Sequence, residues 1–197
     1  SAAVTTAGAF VETPLLTLTG TYTIAVLPTG TATGGMTLTP HDIVDLMGPI
    51  TSGIPMTMNL TTPGQQALLT FTATAGQRAS VQVTNSTIGA CSSGRFSFRE
   101  PDGTPWVKIS GIDNNIFTII GGMPCTNTFM EPESVVQSGT HSFLIDPAAA
   151  SSGQLTFTLY VFSDLTALLT LNTATATTIS IPGQQARLTF TNTAGQR

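Results

Sequence analysis

The sequence predicts an all-β protein: antiparallel β-sandwich domains in tandem, with a repeat period of 119 residues. Three observations carry this. Threonine supplies 37 of the 197 residues. Together with Val and Ile it favours the pleated, half-buried surface of a strand, while 19 Gly and 12 Pro punctuate turns. Apolar and polar residues alternate with period two, and no 3.6-residue period is sustained. Finally, PGQQALLTFTATAGQR at 63–78 returns as PGQQARLTFTNTAGQR at 182–197, identical at 14 of 16 positions.

The same offset runs upstream without a gap. Phe10 and Glu12 match Phe129 and Glu131, Gly20-Thr21 matches Gly139-Thr140, Gly34 matches Gly153, and Asp45-Leu46 matches Asp164-Leu165. Residues 1–78 therefore align with 120–197, and 79–119 occur once. Domain boundaries should be polar and short of packing signals. That criterion makes 45–56 and 164–177 linkers and 57–163 one complete sandwich repeat. Residues 1–44 are then the C-terminal half of a preceding repeat, and 178–197 the first strand of the next. The expectation is a piece of a longer tandem array, or a subunit whose ends neighbours complete. In the second case 182–197 of one subunit pairs with the edge of 1–44 in the next; continuous chain connectivity is the preferred form.

Comparing the copies reads out strand faces. Leu68 in one is Arg187 in the other, so this position faces solvent. Leu69/Leu188 and Phe71/Phe190 stay apolar between the retained threonines 70/189 and 72/191, which is the strand period. Ile24/Phe143 with Val26/Ile145, and Met36/Leu155 with Leu38/Phe157, repeat the alternation. Further strands are expected at 79–84, 95–99, 105–109 and 115–120. Ala75-Gly76, Pro101-Asp102-Gly103, Gly121-Gly122, Ser138-Gly139 and Ser152-Gly153 mark turns between them. Short strands at this spacing read as a sandwich.

Charge excludes several functions. Charged residues are 8%, and six Lys+Arg against ten Asp+Glu give a net charge of -4. That leaves no basic patch to neutralise phosphates, so nucleic acid is not an expected partner. No run approaches the roughly 18–20 apolar residues of a membrane span. The opening SAAVTTAGAF lacks the basic flank and apolar run of a signal peptide, so any export signal lies outside these residues or has been removed.

The order Ala75-Gly76-Gln77, Pro101-Asp102-Gly103-Thr104, Ser138-Gly139-Thr140, Thr156-Phe157-Thr158-Leu159 resembles the β-sandwich repeats of the bacterial pre-peptidase C-terminal (PPC)-like family. Gly20-Thr21-Tyr22-Thr23-Ile24 has the closer form of the third motif, with His141 standing where the first copy has Tyr22. The resemblance covers nearly the whole chain. It implies secreted or surface-anchored bacterial proteins, in which such domains are spacers, adhesive modules or appendages of catalytic domains. It implies no shared catalytic residues.

Individual candidates follow from residue chemistry. Cys91 and Cys125 are the only cysteines. As a disulfide they would close a loop of about 34 residues, contribute roughly 3–4 kcal/mol, and point to an oxidising compartment; two buried thiols are the alternative. Metal-finger spacing is absent. Arg78 and Arg197, with Gln77 and Gln65, are retained in turns beside the linkers, where they either hold one domain on the next or serve the turn itself. Asp45 and Asp164 open the linkers as hydrogen-bond acceptors, calcium ligands at a junction, or solvated turn residues. Asp113-Asn114-Asn115 offers oxygen ligands for calcium or an Asx turn. No cofactor is otherwise expected. Trp106 reads as a packing residue or a sugar platform. His41 and His141 read as amphipathic residues at strand ends. His141 and Ser142 are strand neighbours facing opposite ways, which opposes a Ser-His-Asp hydrolase with Asp146.

The function these features support is a non-enzymatic extracellular structural protein. It would form a cell-surface stalk, adhesin shaft or filament through head-to-tail contacts, with copies of itself or neighbouring repeats as partners in a polymer. The alternatives are a carbohydrate- or polymer-binding module and a noncatalytic appendage of a secreted hydrolase.

Overall fold

The computed structural model describes residues 4–5, 7–89, 94–104, 119–120 and 127–195. Among them there is no helix. The strands in chain order are β1 (Leu46–Pro49), β2 (Met56–Leu60), β3 (Ala67–Ala73), β4 (Arg78–Thr84), β5 (Arg95–Arg99), β6 (Ile119–Ile120), β7 (Thr128–Ser134), β8 (Gly139–Asp146), β9 (Gly153–Phe162), β10 (Leu165–Leu168) and β11 (Ala186–Thr189).

Alternation decides which face each strand buries. In β3, Ala67, Leu69, Phe71 and Ala73 are buried while Leu68, Thr70 and Thr72 are partly or fully exposed. This is the face assignment that the Leu68/Arg187 comparison gives. β3 pairs antiparallel with β8, setting Leu69 opposite Phe143 and Phe71 opposite His141. β8 pairs antiparallel with β5, which brings Phe98 opposite Phe143. The resulting five-stranded sheet has the order β1-β3-β8-β5-β6, and a four-stranded sheet has the order β2-β9-β4-β7. All these pairings are antiparallel except that of β1 with β3.

The inner faces of the two sheets form one core. Phe96 and Phe98 from β5 meet the Phe143 ring edge-on at 4.4 and 4.6 Å, and Phe143 lies 4.6 Å from Phe157 of β9. Leu60, Leu69, Val81, Val83, Ile145, Leu155 and Leu159 fill the space around these rings. Aromatic pairs in tilted and edge-on geometry add roughly 0.5–1.5 kcal/mol each beyond the area they bury. A protein with few charges thus obtains a core from β-branched and aromatic residues on alternate positions, the arrangement expected of a sandwich.

The segment 45–56, expected as a linker, contains β1 (Leu46–Pro49), which docks parallel on β3. Likewise 164–177 contains β10, which docks parallel on β11. Both strands add to the edge of a ladder, where their backbone amides find carbonyls in reach. Conversely, residues 1–44, expected as half of a sandwich, contain no strand among the described residues. The PDGT turn behaves as its residues dictate: Asp102 accepts hydrogen bonds from the Thr104 hydroxyl at 2.7 Å and amide at 2.9 Å. The Thr104 hydroxyl and then its amide hold the Asp102 carboxyl below the usual aspartate value.

Candidate functional site

The most specific constellation in the chain surrounds Asp164, where β9 gives way to β10. One carboxylate oxygen of Asp164 accepts the Gln185 amide at 3.0 Å. The other lies 3.3 Å from Arg78 Nη1. Arg78 also donates from Nη2 to the Pro132 carbonyl at 2.9 Å. Three segments are thereby tied together: the AGQR turn, β7 and the PGQQ turn. The Arg78 guanidinium is thus a counter-charge within reach of the Asp164 carboxylate. Among the described residues no three metal-ligating side chains of His, Cys, Asp or Glu gather.

The PGQQ turn is seated on the complete sandwich. Ser80, fully buried in β4 where the β4–β7 register shifts, donates to the Pro182 carbonyl at 3.1 Å. A bulge re-aims a side chain in this way. Gly183 has φ +84, and a Cβ there would overlap Pro132 and approach Phe129 at 3.3 Å. Glycine is therefore required twice over, for its backbone conformation and for close approach.

The other PGQQ turn has the same construction. The Asp45 carboxylate accepts the Gln66 amide at 2.9 Å, the counterpart of Asp164 and Gln185. Gln65 donates to the Val44 carbonyl at 2.7 Å, and Gln184 to the Ser163 carbonyl at 3.0 Å. Leu46 N–H donates to the Gln66 carbonyl at 2.9 Å, and Leu165 N–H to the Gln185 carbonyl at 2.8 Å. The parallel ladders share one register, Leu46 opposite Ala67 and Leu165 opposite Ala186. Gly64, at φ +82, would bring a Cβ to 2.9 Å from Phe10, the counterpart of Phe129. Gln66 further donates to Glu12 at 3.0 Å. Each of these residues and its counterpart stand 119 positions apart.

The candidate residues divide accordingly. Arg78, Asp164, Asp45 and Gln65 lie at the two junctions. Gln77 does not: its side-chain oxygen accepts the Thr74 amide at 2.7 Å, its N–H donates to the Thr74 carbonyl and its carbonyl accepts the Val135 amide, so it shapes its own turn. Cys91, Cys125, Trp106, Asp113 and Arg197 lie outside the described residues. His141 departs from the expected strand-end role. It is buried in β8, stacked on Phe71, with Nδ1 3.1 Å from the Gly139 carbonyl and Nε2 3.1 Å from Glu100. Sequence reasoning missed Glu100, Ser80 and Pro132, which are far in the chain from the residues they serve. Ser80 and Pro132 carry no signal, because a small hydroxyl and a mid-strand proline are unremarkable one at a time.

A second feature concerns matched positions in different environments. Ile24 is 67% exposed where its counterpart Phe143 is 0%, and Leu38 is 52% exposed where Phe157 is 0%. Phe190 is 58% exposed where Phe71 is 5%. Val26, Met36, Leu188 and Ile179 follow the same division against Ile145, Leu155, Leu69 and Leu60. The alternation that builds the core of the complete sandwich is thus written twice more, with its apolar positions facing outward. An open cleft of about 390 Å³ lies beside the segment after β1, lined by Thr51, Ser52, Thr70, Thr72 and Thr140 and by as many apolar residues.

No family model matches the sequence. No curated protein matches it either. Among solved structures, the chain is similar over 61% of its length to PliG of Aeromonas hydrophila, a periplasmic inhibitor of g-type lysozyme, at 11% identity and TM-score 0.39, covering 99% of that chain. It is similar over 62% of its length to the pre-peptidase C-terminal domain of a Bacillus anthracis collagenase, at 8% identity and TM-score 0.35, covering 99% of that chain. At this distance the functional reading rests on the chain's own residues. No helix among the described residues is long and apolar enough to cross a membrane.

Proposed function

We propose that the chain is a noncatalytic structural segment of an extracellular tandem β-sandwich array, serving as a stalk, adhesin shaft or filament. The observation that carries this reading is the recurrence of one junction. Asp45 with Gln65 and Gln66, and Asp164 with Gln184 and Gln185, make the same hydrogen bonds in the same ladder register. A contact repeated with fixed geometry propagates into a linear or helical assembly rather than a closed one. The Arg78–Asp164 ion pair and the Ser80–Pro182 hydrogen bond add a link between a finished sandwich and the turn that begins the next.

An extracellular setting is supported by the resemblance of the motif order to PPC-like repeats and by the low charge of the sequence. Threonine-rich strand faces solvate without charge and keep β-propensity. The reading is tested by electron microscopy of native material. Regular fibres with an axial repeat of one or two sandwich lengths are expected, and dispersed monomers would contradict it.

A further inference from the structure

The chain enters and leaves the complete sandwich at opposite ends. Leu46 lies opposite Ala67, the first residue of β3, so Asp45 stands at that end of the sheet. β3 runs away from it to Ala73, and β4 begins at Arg78 after the 74–77 turn. Phe162, the last residue of β9, lies opposite Arg78, so Asp164 stands at the far end. A pull on these two points therefore acts along the strands. β9 is drawn past two neighbours, Met56–Leu60 of β2 and Arg78–Thr84 of β4. β1 is drawn past one, the Ala67–Thr70 stretch of β3. It is held there by the Leu46 N–H on the Gln66 carbonyl at 2.9 Å and the Ile50 N–H on the Thr70 carbonyl at 2.8 Å. At its entry, Gln65 donates to the Val44 carbonyl at 2.7 Å and Asp45 accepts the Gln66 amide at 2.9 Å. Beyond β1 the direction of loading changes. β2 runs back from Met56, opposite Phe157, to Leu60, opposite Gly153. Tension that reached Met56 from the Asp45 end would peel β2 from β9 pair by pair.

We propose that the sandwich carries tension along its length, with β1 as the clamp that sets its resistance. Ladder hydrogen bonds lie across the strands, so a pull along β1 loads all its bonds to β3 together, whereas a peeling pull loads them one at a time. A single backbone bond contributes little net stability, so resistance comes from having to break several in one step. None of the four β1 side chains is fully buried, so the strand adds direction rather than core. The crossover that follows is pinned to β9: the Gly53 N–H donates to the Leu159 carbonyl at 2.7 Å, and Ser52 Oγ accepts the Val161 amide at 2.8 Å. A chain that entered directly at β2 would be unzipped by the same pull; β1 turns that pull into shear. β10 meets β11 in the same parallel register, with Asp164 on the Gln185 amide, so the device is written twice. The proposal rests on the array reading and says what each of its sandwiches withstands.

The test is single-molecule stretching of the full chain in reducing buffer, with tethers in two geometries. Tethers at Val44 and Ser163 pull along the strands; tethers at Thr61 and Ser152 open the β2–β9 pair from its Leu60–Gly153 end. At one pulling speed the first geometry should need about twice the force of the second or more, because forced unfolding follows the height of the unfolding barrier in the direction pulled. Its rupture should release roughly 350–400 Å of chain in one step. Leu46→Pro, which removes the amide that bonds Gln66, should lower the first force toward the second and leave the second unchanged. Asp45→Ala, a change at an exposed carboxylate, should lower the first force alone and by less. Hydrogen-exchange protection of 78–84 and 153–162 should persist in both variants, which shows that the sandwich remains folded. Equal forces in the two geometries would overturn the proposal, as would a first force that neither variant lowers. Direction-independent forces in a chain whose native material forms fibres would remove the clamp and leave the array reading intact. A directional clamp that depends on β1, beside dispersed native material, would support the clamp and remove the array.

Discussion

The guanidinium of Arg78 lies 3.3 Å from the carboxylate of Asp164, and the two residues are 86 positions apart. Arg78 opens β4 inside the complete sandwich, and Asp164 stands where the chain leaves it. Because the second Asp164 oxygen holds the Gln185 amide, one carboxylate couples β4 to the turn that precedes β11. Both side chains retain some solvent contact, so the direct attraction contributes about 0–1 kcal/mol. Arg78→Ala should leave the melting of the complete sandwich within a few degrees of the parent while exchange at 165–169 and 185–189 accelerates. Uniform destabilisation of the whole chain would argue that the ion pair belongs to the core and not to the junction.

Gly183 offers a sharper probe of the same junction. Its φ of +84 and the proximity of Pro132 both oppose a side chain. Gly183→Ala should cost about 1–2 kcal/mol from the backbone conformation alone, with an added steric term from Pro132. The loss should appear as release of the PGQQ turn, read as faster exchange at Leu165 and Gln185, with β2–β9 unaffected. Gly76→Ala is the control, since it also has positive φ but no atom within 4 Å of the place a Cβ would take. It should cost a comparable backbone term without loosening 165–189.

His141 and Glu100 form a buried hydrogen-bonded pair. Nδ1 faces the Gly139 carbonyl, an acceptor, so Nδ1 carries hydrogen. Nε2 faces a Glu100 carboxylate oxygen at 3.1 Å. His141→Ala strands the Glu100 carboxylate in the core and should cost roughly 3–5 kcal/mol. Glu100→Gln can donate its amide to a neutral ring and should cost at most about 1.5 kcal/mol. Denaturant titration of both variants checks this ordering, and equal losses would contradict it.

Asp146 supplies a pH dependence of defined sign. Burial pushes its carboxyl above the usual aspartate value; Glu12 and Asp45 add to the rise and Arg95 opposes it. The folded state therefore holds this proton more tightly than the unfolded state. The ionised group costs stability above its folded pKa, and that cost disappears as pH falls below the ordinary aspartate value. Asp146→Asn should raise the melting temperature at neutral pH, and the advantage should vanish on acidification through that window. A variant that melts lower at pH 7 would show that the carboxylate makes compensating contacts.

Much of the fold is legible because the sequence contains its own comparison. Arg187 replacing Leu68 identifies a solvent-facing position without any structure, and the retained Leu69 and Phe71 identify the face opposite. Asp45 and Asp164 stand out for the same reason. β1 and β10 are hidden, because LMGP and LTAL show no polar alternation and their pairing is parallel, set by the bonds of Asp45 and Asp164 to the turns that precede β3 and β11 and not by their own side chains. The Glu100–His141 pair is hidden differently. Residues 79–119 occur once, so Glu100 has no counterpart to compare, and Tyr22 stands where the histidine would repeat.

The most direct test places a second copy of residues 57–119 ahead of Ser1, with Cys91→Ser in the added copy because Thr6 occupies the position of Cys125. The added strands should pair with 10–43 and close a second sandwich. Amides across 22–26 and 36–38 should then become as protected as those of 141–145 and 155–157, and the unfolding enthalpy should rise toward twice that of the parent. If those amides exchange as freely as before, the matched positions do not encode a second sandwich, and the array account is contradicted.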